Sequence, residues 1–368
     1  MRNVFSFGRG AAALIVPVLT ASAVAVAGGG GSSVTPPPPR YRIVSLDARA
    51  GIGGFALDRN DRGQVVGLWG GRGGGNSGAG GGDRSFFWQS GRPARDLGVL
   101  PGMKSCQAFA INNGAQVVGA VSTRTADRAF HWDAARGMRA LPLPGAVRGG
   151  NSGANDINDK GQIAGWASFP IGGLGASGVV QHAFVWYKGA LRDLGTLPGG
   201  ARSGAAAINN LGHVVGVSDT RFGRSRAFLW RGGVMQDLGT LPGYNDSRAV
   251  AINDRGQVVG VARNDRGDER AFLWHDGRLR DLGTLPGYAR STVFAINNRG
   301  EIIGQVSGPG GASRPTLWSR GRIYDLNRRI PAHVGWTLNT VTTVNDRGEI
   351  MGRGFFRGRP YDFVLRPG

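Results

Sequence analysis

Ten residues, AINDRGQVVG at 251–260, return forty-four positions upstream as AINNLGHVVG (207–216) and forty-four downstream as AINNRGEIIG (295–304). The asparagine of the Asn-Asp/Asn-x-Gly element marks each copy. It recurs at Asn60, Asn112, Asn158, Asn209, Asn253, Asn297 and Asn345, with spacings of 52, 46, 51, 44, 44 and 48 residues. A period of this length, with about four short apolar runs in each unit, points to an all-β, seven-bladed β-propeller with four antiparallel strands per blade, not to a helical solenoid.

The unit around Asn253 shows the pattern. Residues 249–253 read as a first strand and 253–256 as a tight turn whose closing glycine supplies positive φ without steric cost. Residues 257–262 form the second strand, 271–274 the third and 279–285 the fourth. An Asp-Gly hairpin at 276–277 joins the last two, and Pro286-Gly287 suits a type II turn. Residue size fits a wedge. First strands carry alanine (Ala205, Ala207, Ala249, Ala251), as a crowded centre requires. Third strands carry Phe/Trp pairs (Phe86/Trp88 through Phe272/Trp274) that fill the wider gaps between blades.

Chain closure follows from a count of strands. The array holds seven first, second and third strands but six fourth strands. The missing one is expected in Tyr41 to Leu46, so that an N-terminal strand completes the last blade and closes the ring without an open edge.

The recurring AINDRGQVVG (251–260), RAFLW (270–274) and RDLGTLPG (280–287) resemble the HAF-type extracellular repeat proteins of bacteria, over nearly all of 41–368. The resemblance implies export and a repeat fold, and it carries no catalytic residues to transfer. The motif's histidine survives here only as His182, with arginine in most other copies.

Residues 1–27 fit a secretory signal peptide. Arg2 and Arg9 precede an apolar run that ends in Ala25-Val26-Ala27. An uncleaved anchor is the alternative, although Pro17 and the short run argue against a span. Residues 28–40 are a Gly/Ser/Pro linker with nothing to bury, and the propeller is expected over 41–368. No other stretch is long and apolar enough to cross a membrane, so the chain is expected to be secreted or periplasmic, in some settings held at the cell surface.

The net charge is +20, and all but three of the 44 basic residues are arginine. Removing Arg2 and Arg9 leaves +18. Such a balance favours an anionic polysaccharide or other surface polyanion, unless it only reflects a genome rich in Arg, Gly and Ala codons. Nucleic acid has no motivation beyond charge, because the aromatics follow the core pattern. Cys106 is the only cysteine, so neither an intrachain disulfide nor a cysteine-built zinc site can form.

Length variation collects in the second-to-third and blade-to-blade connections, which share one face. Two of these loops, 70–83 and 168–181, are long and rich in glycine. The same face is expected to display the residue before each third strand: Arg84, Arg128, His182, Arg226, Arg270, Arg314 and Tyr361. These would form a broken cationic ring suited to carboxylate, sulfate or phosphate. Loop residues Arg72, Lys104, Arg124, Arg148, Arg202, Arg221, Arg224, Arg248, Arg263 and Arg290 add to the field. The competing reading is pairing inside each blade, Arg270 with Asp281 and Arg226 with Asp237, each worth about 0–1 kcal/mol. Ala140 removes that option for Arg128.

The Asn-Asp turns offer too few oxygens per turn to hold calcium and read as turn caps. The five histidines have no metal-ligand spacing, and neither a nucleophile elbow nor a phosphate loop occurs. No metal or cofactor is called for. The expectation is a monomeric, non-catalytic binding module. A hydrolase or lyase acting on glycans at the channel mouth and a structural envelope protein remain as alternatives.

Overall fold

The fifth blade shows how one repeat becomes one sheet. Its strands are β18 (Asp246–Ile252), β19 (Val258–Arg263), β20 (Glu269–His275) and β21 (Arg278–Asp281), paired antiparallel in chain order. The computed structural model describes residues 39–46, 54–69, 83–171 and 178–368. Among these, twenty-eight strands form seven such four-stranded sheets arranged in a ring, a seven-bladed β-propeller with only three short 3-10 turns beside it. The expected signal segment, nearly all of the linker and most of the loop at 70–83 lie outside the described residues, as do 172–177 of the loop at 168–181.

Each motif of the repeat has a mechanical reason. In the first turn, Asn253 Oδ1 accepts the N–H of Gln257 at 3.0 Å, and Gly256 closes the turn at φ 73°. A side chain on Gly260 would run into the Arg248 carbonyl oxygen and the Phe272 ring, because a bulge between Ala249 and Ala251 brings the first strand close. The second-strand glycine is therefore a packing requirement. β21 stops at Asp281, short of the expected Leu285. Asp281 Oδ1 accepts the N–H of Gly283 at 2.7 Å and turns the chain out of the sheet. Asp96, Asp193 and Asp237 do the same for Gly98, Gly195 and Gly239, each at 2.8 Å.

The core lies between blades. Leu229 and Val215 of the fourth blade pack with Ala249, Val258, Phe272 and Trp274 of the fifth, all buried. A buried serine in each of several first strands joins neighbours. Ser247 Oγ accepts the N–H of Ala227 at 3.0 Å, and Ser291 Oγ that of Ala271 at 3.0 Å.

The last blade is β26 (Trp336–Val344), β27 (Ile350–Phe356), β28 (Arg359–Pro367) and, outermost, β1 (Tyr41–Ser45). The N-terminal strand thus completes the ring, pairing Tyr41 with Pro367 and Ser45 with Phe363. Further bonds cross the seam. Ala56 N–H donates to Asp362 Oδ2 at 2.7 Å, and Arg59 meets Glu349 at 2.5 Å.

Candidate functional site

Strand direction alternates within a blade, so the first-to-second and third-to-fourth turns lie on one face and the remaining connections on the other. These are called the turn face and the loop face.

At the centre of the turn face, the seven Asn-Asp/Asn turns meet around a polar well of about 200 Å³. The residue after each marker donates its backbone N–H to the side chain of its counterpart in the next blade: Asp61 to Asn113, then Asp159, Asn210, Asp254, Asn298, Asp346 and back to Asp61. The distances run from 2.7 to 3.0 Å. At six of the seven junctions the marker amide also reaches the next marker's carbonyl oxygen, as Asn60 Nδ2 does to Asn112 at 2.9 Å. Each marker asparagine also caps its own turn, as Asn209 Oδ1 does for the N–H of His213 at 2.9 Å, whereas the bonds between blades go beyond the turn-cap reading. Glu349 occupies a hairpin position at the seam. Burial would raise its carboxyl, but hydrogen bonds from Arg59 and Asn345, with the charges of Arg59 and Arg366, hold it below the ordinary carboxylate value.

The seven residues expected before the third strands lie inside those strands instead, toward their loop-face ends, one per blade, and none bonds to another. Four are paired within their own blade: Arg84 with Asp96 at 2.5 Å, His182 with Asp193 at 3.0 Å, Arg270 with Asp281 at 3.4 Å and Arg314 with Asp325 at 3.6 Å. Arg226 does not reach Asp237 as an ion pair. Its guanidinium donates instead to the carbonyl oxygens of Ser225 and Asn245. Arg128 has no ion-pair partner among the described residues, consistent with Ala140 facing Phe130 where other blades carry aspartate. Tyr361 packs edge-on against Trp336 and Phe356, with ring centroids 6.3 and 6.4 Å away.

A cleft of about 390 Å³ opens where the loop leaving the third blade meets the second-to-third connection of the fourth. Leu197 and Pro198 form one wall, and Arg221, Phe222, Arg224 and Arg226 the other, with Asp237 at the edge. Phe222 is 81% exposed, and the Arg221 guanidinium lies 5.8 Å from its ring centroid. Arg224 is held by Asp265 at 2.6 Å, which ties the connection to the fifth blade. Arg221 and Arg226 have no carboxylate within ion-pair distance among the described residues. Sequence reasoning passed over Phe222. Its signal is that it is an aromatic in a variable loop and fits no column of the repeat.

Burial pushes the Cys106 thiol up to about 11, so the one cysteine is closed off and un-ionised at neutral pH. Among the described residues, no group of three or more His, Cys, Asp or Glu side chains is placed to hold a metal ion. No helix among them is long and apolar enough to cross a membrane.

No family model matches the chain, and no curated protein matches it by sequence. Solved structures do match. One is an oligogalacturonate lyase from Vibrio parahaemolyticus, with 9% identity, 89% of this chain and 97% of that one covered, and a TM-score of 0.54. A puromycin-hydrolysing peptidase from Mycobacterium tuberculosis has 13% identity over 86% of this chain and a TM-score of 0.52. The match takes in only 53% of the peptidase's length. YCF48 bound to D1 peptide has 10% identity, coverage of 90% and 97%, and a TM-score of 0.50. At such identities the likeness is one of fold: the chain is similar to β-propellers with several different roles.

Proposed function

We propose that this chain is an exported binding module for an acidic saccharide, held at the loop-face cleft between the third and fourth blades. The carrying observation is Phe222, an almost fully exposed aromatic ring among Arg221, Arg224 and Arg226. It offers a flat apolar plate to a sugar ring, while guanidinium forks suit the carboxylate or sulfate of an acidic sugar. The signal-like segment at 1–27 and the resemblance to HAF-type extracellular repeat proteins support export. Four of the seven loop-face positions are neutralised by their own blades. Recognition is therefore assigned to the cleft, with Arg226 the one member of that set lining it.

The test is calorimetric titration of residues 39–368, which contain every strand of the closed ring, with acidic and neutral oligosaccharides, oligogalacturonate among them. Saturable binding to an acidic oligosaccharide that persists at physiological salt is expected. Phe222→Ala and Arg226→Ala each weaken it about tenfold, the cost of one good charged hydrogen bond or stacking contact. Arg84→Ala, whose side chain is already paired with Asp96, leaves it unchanged. Binding to all polyanions alike that fades steeply with salt would favour the structural envelope reading. Release of shortened product would favour a lyase or hydrolase.

A further inference from the structure

The turn face carries its charge differently from the loop face. The residue two places after each marker asparagine sits at the tip of an inner turn, beside the channel mouth. Five of these tips are basic: Arg62, Lys160, Arg255, Arg299 and Arg347. Adjacent inner turns are hydrogen-bonded edge to edge, so the seven tips form one circle, in which Gly114 and Leu211 are the two uncharged members, one on each side of Lys160. Arg299 is paired with Glu301 at 3.0 Å, but the other four have no carboxylate within ion-pair distance among the described residues. The carboxylates of Asp61, Asp159, Asp254 and Asp346 accept N–H groups from neighbouring turns; they keep their charge and offset part of the cationic field at the inner rim.

Leu211 interrupts this circle, and two further exposed apolar side chains lie on outer hairpins of the same face. Leu211 takes the tip position in the fourth blade and is 59% exposed. Val234, just after the Gly232-Gly233 hairpin of the same blade, is 67% exposed. Tyr187, on the third-to-fourth hairpin of the third blade, is 37% exposed, and Lys188 Nζ lies 5.1 Å from its ring centroid. Three exposed apolar side chains thus occupy turns of two adjacent blades, flanked by Lys160 and Lys188.

We infer that the turn face docks on an anionic lipid bilayer. Leu211, Val234 and Tyr187 sit at headgroup depth, and the circle of cations lies over the lipid phosphates. The first-to-second turns of this face are short and alike in length, and its central well is small and lined by side chains already bonded to one another. Unpaired cations at four turn tips, with exposed apolar side chains on the same face, complement a plane of anions above hydrocarbon. The inference does not depend on the saccharide reading, since the cleft with Phe222 opens on the opposite face. Together the two would hold the cleft away from the membrane.

Residues 39–368 would be sedimented with vesicles of phosphatidylcholine alone and of phosphatidylcholine with phosphatidylglycerol. Binding to the anionic vesicles only is expected. Each cation near an anionic surface contributes about fivefold in partition, so Lys160→Ala/Arg255→Ala loses about 25-fold. Leu211→Ser/Val234→Ser loses about tenfold, and Phe222→Ala/Arg226→Ala changes nothing. Equal binding to both vesicle types, or an unchanged Lys160→Ala/Arg255→Ala variant, overturns the inference. Loss in the Phe222→Ala/Arg226→Ala variant would move the surface to the loop face. No effect of the serine pair would reduce docking to charge alone and overturn the apolar seating. Loss of acidic-oligosaccharide binding in the Lys160→Ala/Arg255→Ala variant would make a polymer, not a bilayer, the occupant of this face.

Discussion

Around the channel mouth, acid and amide alternate from blade to blade: Asp61, Asn113, Asp159, Asn210, Asp254, Asn298, Asp346. The alternation lets amides bridge carboxylates, as Asn298 Nδ2 does to Asp254 at 2.9 Å and to Asp346 at 2.8 Å. Seven is odd, so a strict alternation must fail once, and it fails where Asp346 meets Asp61. There the backbone link persists at 3.0 Å, but two carboxylates face each other without an amide between them. Asp346→Asn is expected to stabilise the fold by about 1 kcal/mol, exchanging a like-charge contact for a hydrogen bond. Chemical denaturation checks this, and an unchanged or lowered midpoint would show that the junction carries no repulsion. In the sequence the residues of this ring read only as parts of capped turns, and the caps proved to be the marker asparagines before them. The alternation acquires meaning only once equivalent turns are known to touch.

Among the elements, β1 carries the most consequence for its length. Its five residues cover the edge of β28. Tyr41 is buried with Leu326, Leu338, Val341 and Phe363, and its N–H donates to the carbonyl of Arg329 at 2.9 Å. Starting the chain after Leu46 would remove the burial of Tyr41, Ile43 and Leu46, at a cost of several kcal/mol, about 1.5–3 for each large side chain. It would also expose an unpaired strand edge, which invites association. The truncated chain is expected to melt well below the intact one and to sediment as oligomers. A monomer with an unchanged melting temperature would mean that the edge needs no cover. The strand was legible because a count of repeated motifs left one fourth strand missing. Its pairing register with β28 was not.

For the whole molecule, ring closure concentrates buried charge at one junction. Arg59 and Glu349 meet at 2.5 Å with side chains 7% and 10% exposed, and Arg366 adds a second contact to Glu349 at 3.1 Å. The Glu349 carboxyl is held below its ordinary value, so its contribution to stability is present above the unfolded-state value and is lost as pH falls through the folded-state one. Glu349→Gln leaves Arg59 buried without its partner and is expected to cost about 3 kcal/mol at pH 7. The difference from the parent chain should narrow in acid, once the pH falls below the ordinary carboxylate range and the parent's own carboxyl takes up a proton. Urea denaturation at both pH values checks this, and an equal difference at the two would assign the cost to packing. On the same scale, the reading of the loop face as the basic one needed refinement. Many of its arginines have aspartate partners, as Arg224 has in Asp265, forty-one residues away in the next blade.

Sequence alone determined the blade count, the chain closure, the wedge of small and large residues, and the capping of the first turns by asparagine. Each of these is written once per repeat, so seven copies reinforce one pattern, and strand period and turn chemistry are local properties of the chain. Tertiary structure decided which charges are cancelled and which are left over. An arginine's partner depends on the diagonal across a twisted blade and on loops from the neighbouring blade, and neither is encoded at a fixed spacing. The same holds for Phe222 and for the exposed Leu211, Val234 and Tyr187. A single side chain outside the repeat has no pattern to announce it, and its exposure exists only after the blades have closed around the channel.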